Sequence, residues 1–165
     1  MVTFYPTQIQ ARADAVLHTL REKVLCLVVR GEALLIFEHV DIPEAGVQVP
    51  AGGVEVDETP SQAAVRELCE ESGLTLASPC HLVSYRWEAQ LPERLTRQVC
   101  HSYVFVAPAT TPDAWTHHAD GYVFASCWAP LAAPALPWEM DAALPWLQFD
   151  PTHSTPFTSP QENRA

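Results

Sequence analysis

Basic side chains are scarce in this 165-residue chain: nine Lys and Arg stand against twenty Asp and Glu, for a net charge of −11. Nucleic-acid grooves draw their affinity from Lys and Arg at phosphates, so this balance argues against such a groove. A small anionic substrate remains compatible with it where bound cations supply the positive charge. No apolar run approaches the roughly 18 residues that span a bilayer. The MVTFYPTQIQ start lacks the basic opening and apolar core of a secretory leader, so no membrane partner is expected and the cytoplasm is the expected compartment. Cys26, Cys69, Cys80, Cys100 and Cys127 are odd in number and contain no CxxC pair, so neither a disulfide framework nor a zinc site is indicated and they read as reduced, mostly buried thiols. The seven histidines include no HExxH motif, and neither an internal repeat nor a linker interrupts the chain. With 48% hydrophobic residues, the chain reads as one domain long enough to bury a core.

What is present is concentrated in residues 52–74, GGVEVDETPSQAAVRELCEESGL. Asp57, Glu58 and Thr59 place acidic and capping groups just before Pro60, whose missing N–H has no partner to lose in a first helical turn. The pattern predicts a helix from Pro60 through Ser72, stopped by Gly73 in the left-handed conformation of a C-cap. At about 100° per residue, Ala64, Val65, Leu68 and Ser72 share a packing face, while Glu67, Glu70 and Glu71 cluster on another. Like charges three and four residues apart repel by a few tenths of a kcal/mol each. Carboxylates in a last turn also oppose the helix dipole, at roughly 0.3–1 kcal/mol each. Stability alone would have favoured Lys or Arg there. Three clustered carboxylates are hard oxygen donors suited to Mg²⁺ or Mn²⁺, and Mg²⁺ typically bridges a few carboxylates to substrate phosphates.

Gly52, Glu58, Arg66, Glu67, Leu68, Glu70, Glu71, Gly73 and Leu74 fall at the spacing G-x5-E-x7-R-E-U-x-E-E-x-G-U, with U a bulky aliphatic residue. This spacing resembles the signature of the Nudix hydrolases. The resemblance implies an α/β fold, a Nudix-like α/β/α sandwich with a mixed β-sheet and a loop-helix-loop carrying the signature. It further implies that Glu67, Glu70 and Glu71 hold divalent cations, Mg²⁺ or Mn²⁺, joined by the backbone carbonyl of Ala51 in the PAG turn formed with Gly52 and Gly53. Arg66 and Glu58 would orient those carboxylates. Glu55 is a candidate outer ligand, equally readable as a loop residue. Asp57 stands where relatives of the PAG-x-x-E-x-G-E type carry Gly, which questions the local turn.

The implied chemistry is attack of metal-activated water on a phosphoanhydride of a nucleoside diphosphate linked to a further group X, a small nucleotide-type substrate. Glu67 is the leading base or bridging ligand. Outside the signature, Asp120 is the first alternative, ahead of Glu88, Glu93 and Glu139, although an Asp beside Gly121 also fits a turn. His117 and His118 are candidates for phosphate or base contact. Phe37, Tyr85, Trp87 and Trp115 are candidate stacking platforms for a base, each also readable as core. A binding domain without turnover and an isoprenyl diphosphate isomerase are the competing readings. The first is disfavoured by the complete set of box glutamates, the second by the lack of a flanked catalytic Cys. A homodimer is compatible with the resemblance.

Around the signature, residues 1–21 read as a helical N-terminal extension outside the core fold, with Ile9, Ala13, Val16, Leu17 and Leu20 on one face. Residues 22–150 are read as the domain that resembles the Nudix hydrolases, and 151–165 as a flexible Pro/Ser/Thr-rich tail. Within the domain, VLCLVVR and ALLIFEH form a hairpin across Gly31 and Glu32, and Val47 to Val49 is a short strand. HLVSYRWEAQ, RQVCHSYVFVA and YVFASCWAPL are further strands, and PWEMDAALPWLQF a closing helix interrupted at Pro145.

Overall fold

The computed structural model describes residues 1–90, 93, 95–137 and 140–147. In chain order the elements are β1 Val2–Phe4, α1 Gln8–His18, β2 Arg21–Arg30, β3 Ala33–His39, β4 Ala51–Gly53, α2 Pro60–Ser72, β5 Cys80–Gln90, β6 Leu95–Val106, β7 Ala114–Ala119 and β8 Tyr122–Pro130. Short 3-10 turns occupy Pro43–Ala45 and Leu144–Trp146. The strands make one mixed eight-stranded sheet in the order β1-β5-β6-β2-β3-β8-β7, with β4 paired to β2. The β2–β6 pair is parallel, whereas β4 and β3 pair antiparallel with β2.

β2 lies at the centre because its sequence is apolar on both faces, the pattern of a strand covered above and below. Val24, Cys26 and Val28 meet Ala63, Ala64 and Leu68 of α2. Leu25, Leu27 and Val29 face the opposite way, onto a core shared with Tyr85, Trp87, Met140 and Leu147. Among the described residues beyond β8, 131–137 and 140–147 cover this second face as turns and the 3-10 turn Leu144–Trp146, where an interrupted helix is expected; the rest of that expected helix lies outside the described residues. Pro145 accounts for the difference, since it cannot donate the bond that would propagate an α-helix. Among the described residues no helix is long and apolar enough to cross a membrane.

Helix α1 forms where its spacing predicts, but it packs on a different face. Ala11 and Ala15 are buried, whereas Ile9, Val16 and Leu17 are 75–82% exposed. Small alanines let the backbone approach Val99, and polar ties fix the orientation. Arg12 binds Glu22 at 3.1 Å, Gln8 binds the Tyr103 hydroxyl at 2.7 Å, and Asp14 accepts from Tyr5. The strand before it, β1, pairs with β5 and adds an edge to the sheet. The short strand near the signature is Ala51–Gly53 rather than Val47 to Val49, because Gly52 and Gly53 fit flat against β2, while Gln48 makes only an isolated bridge to Phe37. The expected tail, 151–165, lies outside the described residues.

Candidate active site

Local chemistry sets both ends of α2. Thr59 accepts from the Gln62 backbone while the Gln62 side chain accepts from the Thr59 N–H, a reciprocal cap. Gly73, at φ 74°, ends the helix and donates to the Cys69 carbonyl at 2.9 Å. One of the last free carbonyls, that of Ser72, accepts the Trp115 indole N–H at 2.7 Å. This bond docks β7 against the helix terminus and places the His117 ring against Gly73, where a Cβ would meet Nδ1 at 2.8 Å.

Arg66 organises the acidic face. Its Nε and Nη2 grip both oxygens of Glu58 at 2.9 Å each, and Nη2 also donates to the Gly53 carbonyl at 2.8 Å. Its Nη1 reaches Glu67 at 2.7 Å and Glu70 at 3.0 Å. Glu58 is the anchor, its carboxyl held below the usual range by the Arg66 hydrogen bonds. Its Oε2 also accepts the Glu55 N–H at 3.0 Å, which closes the loop, while the Glu55 side chain is exposed. Asp57 adopts φ 65°, so it takes up the left-handed geometry that Gly would have given more readily.

The three remaining carboxylates differ in surroundings. Glu70 is 45% exposed and Glu67 only 12%. Glu67 lies against Gly52 so closely that a Cβ there would sit 1.9 Å from its carboxylate, so a side chain at this position would turn the carboxylate aside. Glu71 accepts the Ala51 N–H at 2.7 Å. Burial raises the Glu67 carboxyl above the usual range although Arg66 pulls it down. Burial, reinforced by Glu67 and Glu70, pushes Glu71 up to about 8 despite the opposing Ala51 N–H and Lys23. Among the described residues no three His, Cys, Asp or Glu groups converge closely enough to hold an ion as they stand. Arg66 takes oxygens of Glu67 and Glu70, and Ala51 takes one of Glu71. The donors nevertheless fit a hard divalent cation: they are carboxylate oxygens on adjacent turns, two of them in surroundings that favour added positive charge.

The other sequence candidates scatter. Asp120 is exposed at φ 50°, beside Gly121 at φ 81°, forming the tip of the β7–β8 hairpin. Phe37, Tyr85 and Trp87 are at most 5% exposed within the core, and Trp115 is half-buried at the end of α2. Glu88 lies on β5 with Oε1 3.7 Å from Arg86, Glu93 is exposed, and Glu139 lies outside the described residues. Sequence reasoning passed over Arg21 and Lys23, which pair with or flank the glycine loop on β2. The signal for Lys23 was available, since it is the chain's single lysine.

The NUDIX domain model matches residues 19–147, and the chain belongs to this family. RNA pyrophosphohydrolases from Photobacterium profundum and Aliivibrio fischeri are each 48% identical over 56 residues, covering 30% of this chain. Those alignments span only 30% and 31% of the relatives' own lengths. The fold matches a MutT NUDIX hydrolase from Burkholderia pseudomallei, with a TM-score of 0.61 and 23% identity over 78% of this chain and 98% of the other. It also matches an E. coli dihydroneopterin triphosphate pyrophosphohydrolase, with a TM-score of 0.59 and 20% identity over 76% and 93%.

Proposed function

We propose that the chain is a divalent-cation-dependent pyrophosphohydrolase that breaks a phosphoanhydride in a nucleoside diphosphate linked to a further group. The observation that carries this reading is the Arg66-centred cluster, in which Glu58 anchors a guanidinium that holds Glu70 and, beside Gly52, Glu67. Glu67, Glu70, Glu71 and the Ala51 carbonyl would hold Mg²⁺ or Mn²⁺. Bound there, the cations supply charge neutralisation at the phosphates and a water acidic enough to ionise near neutral pH. Arg66 aligns the carboxylates, and Gly52 and Gly53 let the backbone approach them without a side chain intervening. Glu67 is the first choice either to accept a proton from that water or to bridge the cations.

The family membership and the names of the partial relatives, which act on pyrophosphate linkages, support this reading. The test is phosphate and nucleotide release from a panel of nucleoside triphosphates, nucleotide sugars, ADP-ribose, dinucleoside polyphosphates, coenzyme A and 5′-triphosphorylated RNA, with Mg²⁺ or Mn²⁺. Glu70→Gln is expected to lower turnover by orders of magnitude with the fold intact. Unchanged release in that variant overturns the assignment, and binding without any release by the wild type makes the chain a sensor.

A further inference from the structure

Seven basic side chains fall among the described residues, in a chain of net charge −11. Four of them are paired: Arg12 with Glu22, Arg30 with Asp113, Arg66 with its three glutamates, and Arg86 with Asp14 and Glu88. The other three, Arg21, Lys23 and Arg97, make no hydrogen bond or ion pair among the described residues. Arg97 stands on β6 next to Gln98, the register partner of Arg21, so it projects from the opposite face of the sheet. Arg21 and Lys23, two residues apart on β2, share a face.

That face adjoins the glycine loop. Lys23 is the register partner of Gly53 in the β2–β4 pair. The Arg21 guanidinium lies against the same glycine, with Nη2 3.3 Å from where a Cβ would stand. Lys23 is half-buried, with Cys100 beside it across the parallel pair, and the charges of Glu67 and Glu71 act on its ammonium although neither closes an ion pair. A lysine serving only to balance the acidic cluster would be expected to bond one of those carboxylates, as Arg66 bonds three. A half-buried ammonium without a partner is unfavourable until an anion reaches it. Arg21 beside it makes two adjacent positive groups on the face of β2 that carries Leu25 and Leu27, against the glycine loop whose other face meets Glu67.

We propose that Arg21 and Lys23 form a phosphate subsite that binds a third phosphate of the substrate, so that the site prefers triphosphates over nucleoside diphosphates joined to an uncharged group. This rests on the function proposed above: the carboxylates and their cations take the two phosphates of the broken linkage, and β2 takes the additional one. Lys23 and Arg21 act as specificity-determining residues. The charge-assisted bonds they make add discrimination between substrates that share the same scissile linkage.

The experiment compares wild type with Lys23→Met, Lys23→Arg, Arg21→Gln and the control Arg97→Gln. Each is assayed with Mg²⁺ on a nucleoside triphosphate and on a nucleotide sugar, and titrated calorimetrically in Mn²⁺ with methylene-bridged triphosphate and diphosphate nucleotides. Lys23→Met is expected to raise KM for the triphosphate roughly 10- to 100-fold, with kcat changed far less, and to weaken the triphosphate analogue by a similar factor. The diphosphate analogue and the affinity for Mn²⁺ alone should hardly move. Arg21→Gln should act in the same direction, Lys23→Arg should restore part of the affinity, and Arg97→Gln should have no effect. Equal affinity of the wild type for the two analogues, or triphosphate binding unaltered in both Lys23→Met and Arg21→Gln, overturns the subsite. If Glu70→Gln is inactive in the same experiments, that failure leaves the proposed hydrolase standing. Absence of Mn²⁺ binding by the wild type refutes the hydrolase reading itself.

Discussion

Replacing Glu71 by Gln removes one charge from the acidic face while leaving an amide oxygen that can accept the Ala51 N–H, now 2.7 Å from the carboxylate. In the metal-free protein the Glu71 carboxyl is pushed from 4.5 up to about 8, chiefly by burial, with the charges of Glu67 and Glu70 adding to it. The folded state therefore keeps a proton that the unfolded chain gives up near pH 4.5. Stability conferred by that proton is complete below pH 4.5 and is lost progressively as pH rises through about 8. At roughly 1.4 kcal/mol per pH unit, the two units between pH 6 and pH 8 correspond to about 2–3 kcal/mol. Glu71→Gln escapes this loss, so its advantage over wild type should grow by about 2–3 kcal/mol between pH 6 and pH 8.5 in EDTA. Urea unfolding followed by tryptophan fluorescence, from five Trp, measures the difference at both pH values. Adding Mn²⁺ at about a hundred times its dissociation constant should stabilise wild type by about 2.7 kcal/mol and the variant much less. Parallel stability profiles for the two proteins across this pH range, or a variant less stable than wild type at pH 8.5, would refute the reasoning.

Two further changes probe the same logic from other directions. In Gly52→Ala, the new Cβ would lie 1.9 Å from the Glu67 carboxylate, the end of a flexible side chain, so the carboxylate should turn aside while the fold survives. Mn²⁺ affinity is expected to fall roughly tenfold or more, read by calorimetry, with little change in thermal midpoint; full-strength Mn²⁺ binding would contradict the contact. On the α1 side, His81, Ser84 and His101 form a buried chain with contacts of 2.9 and 2.8 Å, continued by Glu22 at 2.9 Å. Burial lowers both histidines, His81 to about 4, so the unfolded chain takes up protons first and stability falls as pH drops below about 6.5 toward 4. His81→Gln should flatten this acid limb by about 1 kcal/mol between pH 7 and pH 5.5, and an unchanged urea midpoint shift would exclude His81 as a contributor.

The parts of the molecule legible in the sequence are those fixed within a few residues. The ends of α2 follow from Thr59, Pro60, Gln62 and Gly73, each acting on its own turn of backbone. The β2–β3 hairpin follows from two apolar runs around Gly31, which takes φ 59°. The turn at Asp120-Gly121 is equally local and legible, whereas β7, Ala114–Ala119, which pairs with β8 through it, is not read as a strand from the sequence. The packing face of α1 was not local. Periodicity selected Ile9, Val16 and Leu17, but the sheet at Val99 accepts only the small side chains Ala11 and Ala15. The sequence marks Lys23 as the single lysine, but that Arg21 and Lys23 share a face and lack ion-pair partners among the described residues is a property of the assembled sheet.

The acidic face of α2 also explains why its glutamates are not equivalent. Glu70 keeps solvent contact and an ion pair with Arg66, so its charge is screened and costs little. Glu67 and Glu71 are shielded by the glycine loop and by β2, where Arg66 and the Ala51 N–H compensate them only in part. A second buried arginine would have balanced the cluster, but it would also have occupied the oxygens that a divalent cation needs. Under the proposed function, leaving the deficit in place would make cation binding and folding draw on one free energy: whatever the carboxylates cost the metal-free protein would return as affinity when positive charge arrives. Glu71, the most shielded of the three, should therefore govern affinity for the ion more strongly than Glu70. On the same reading the exposed Glu70 should affect turnover more than binding, because it is the least shielded of the three and already shares its charge with Arg66.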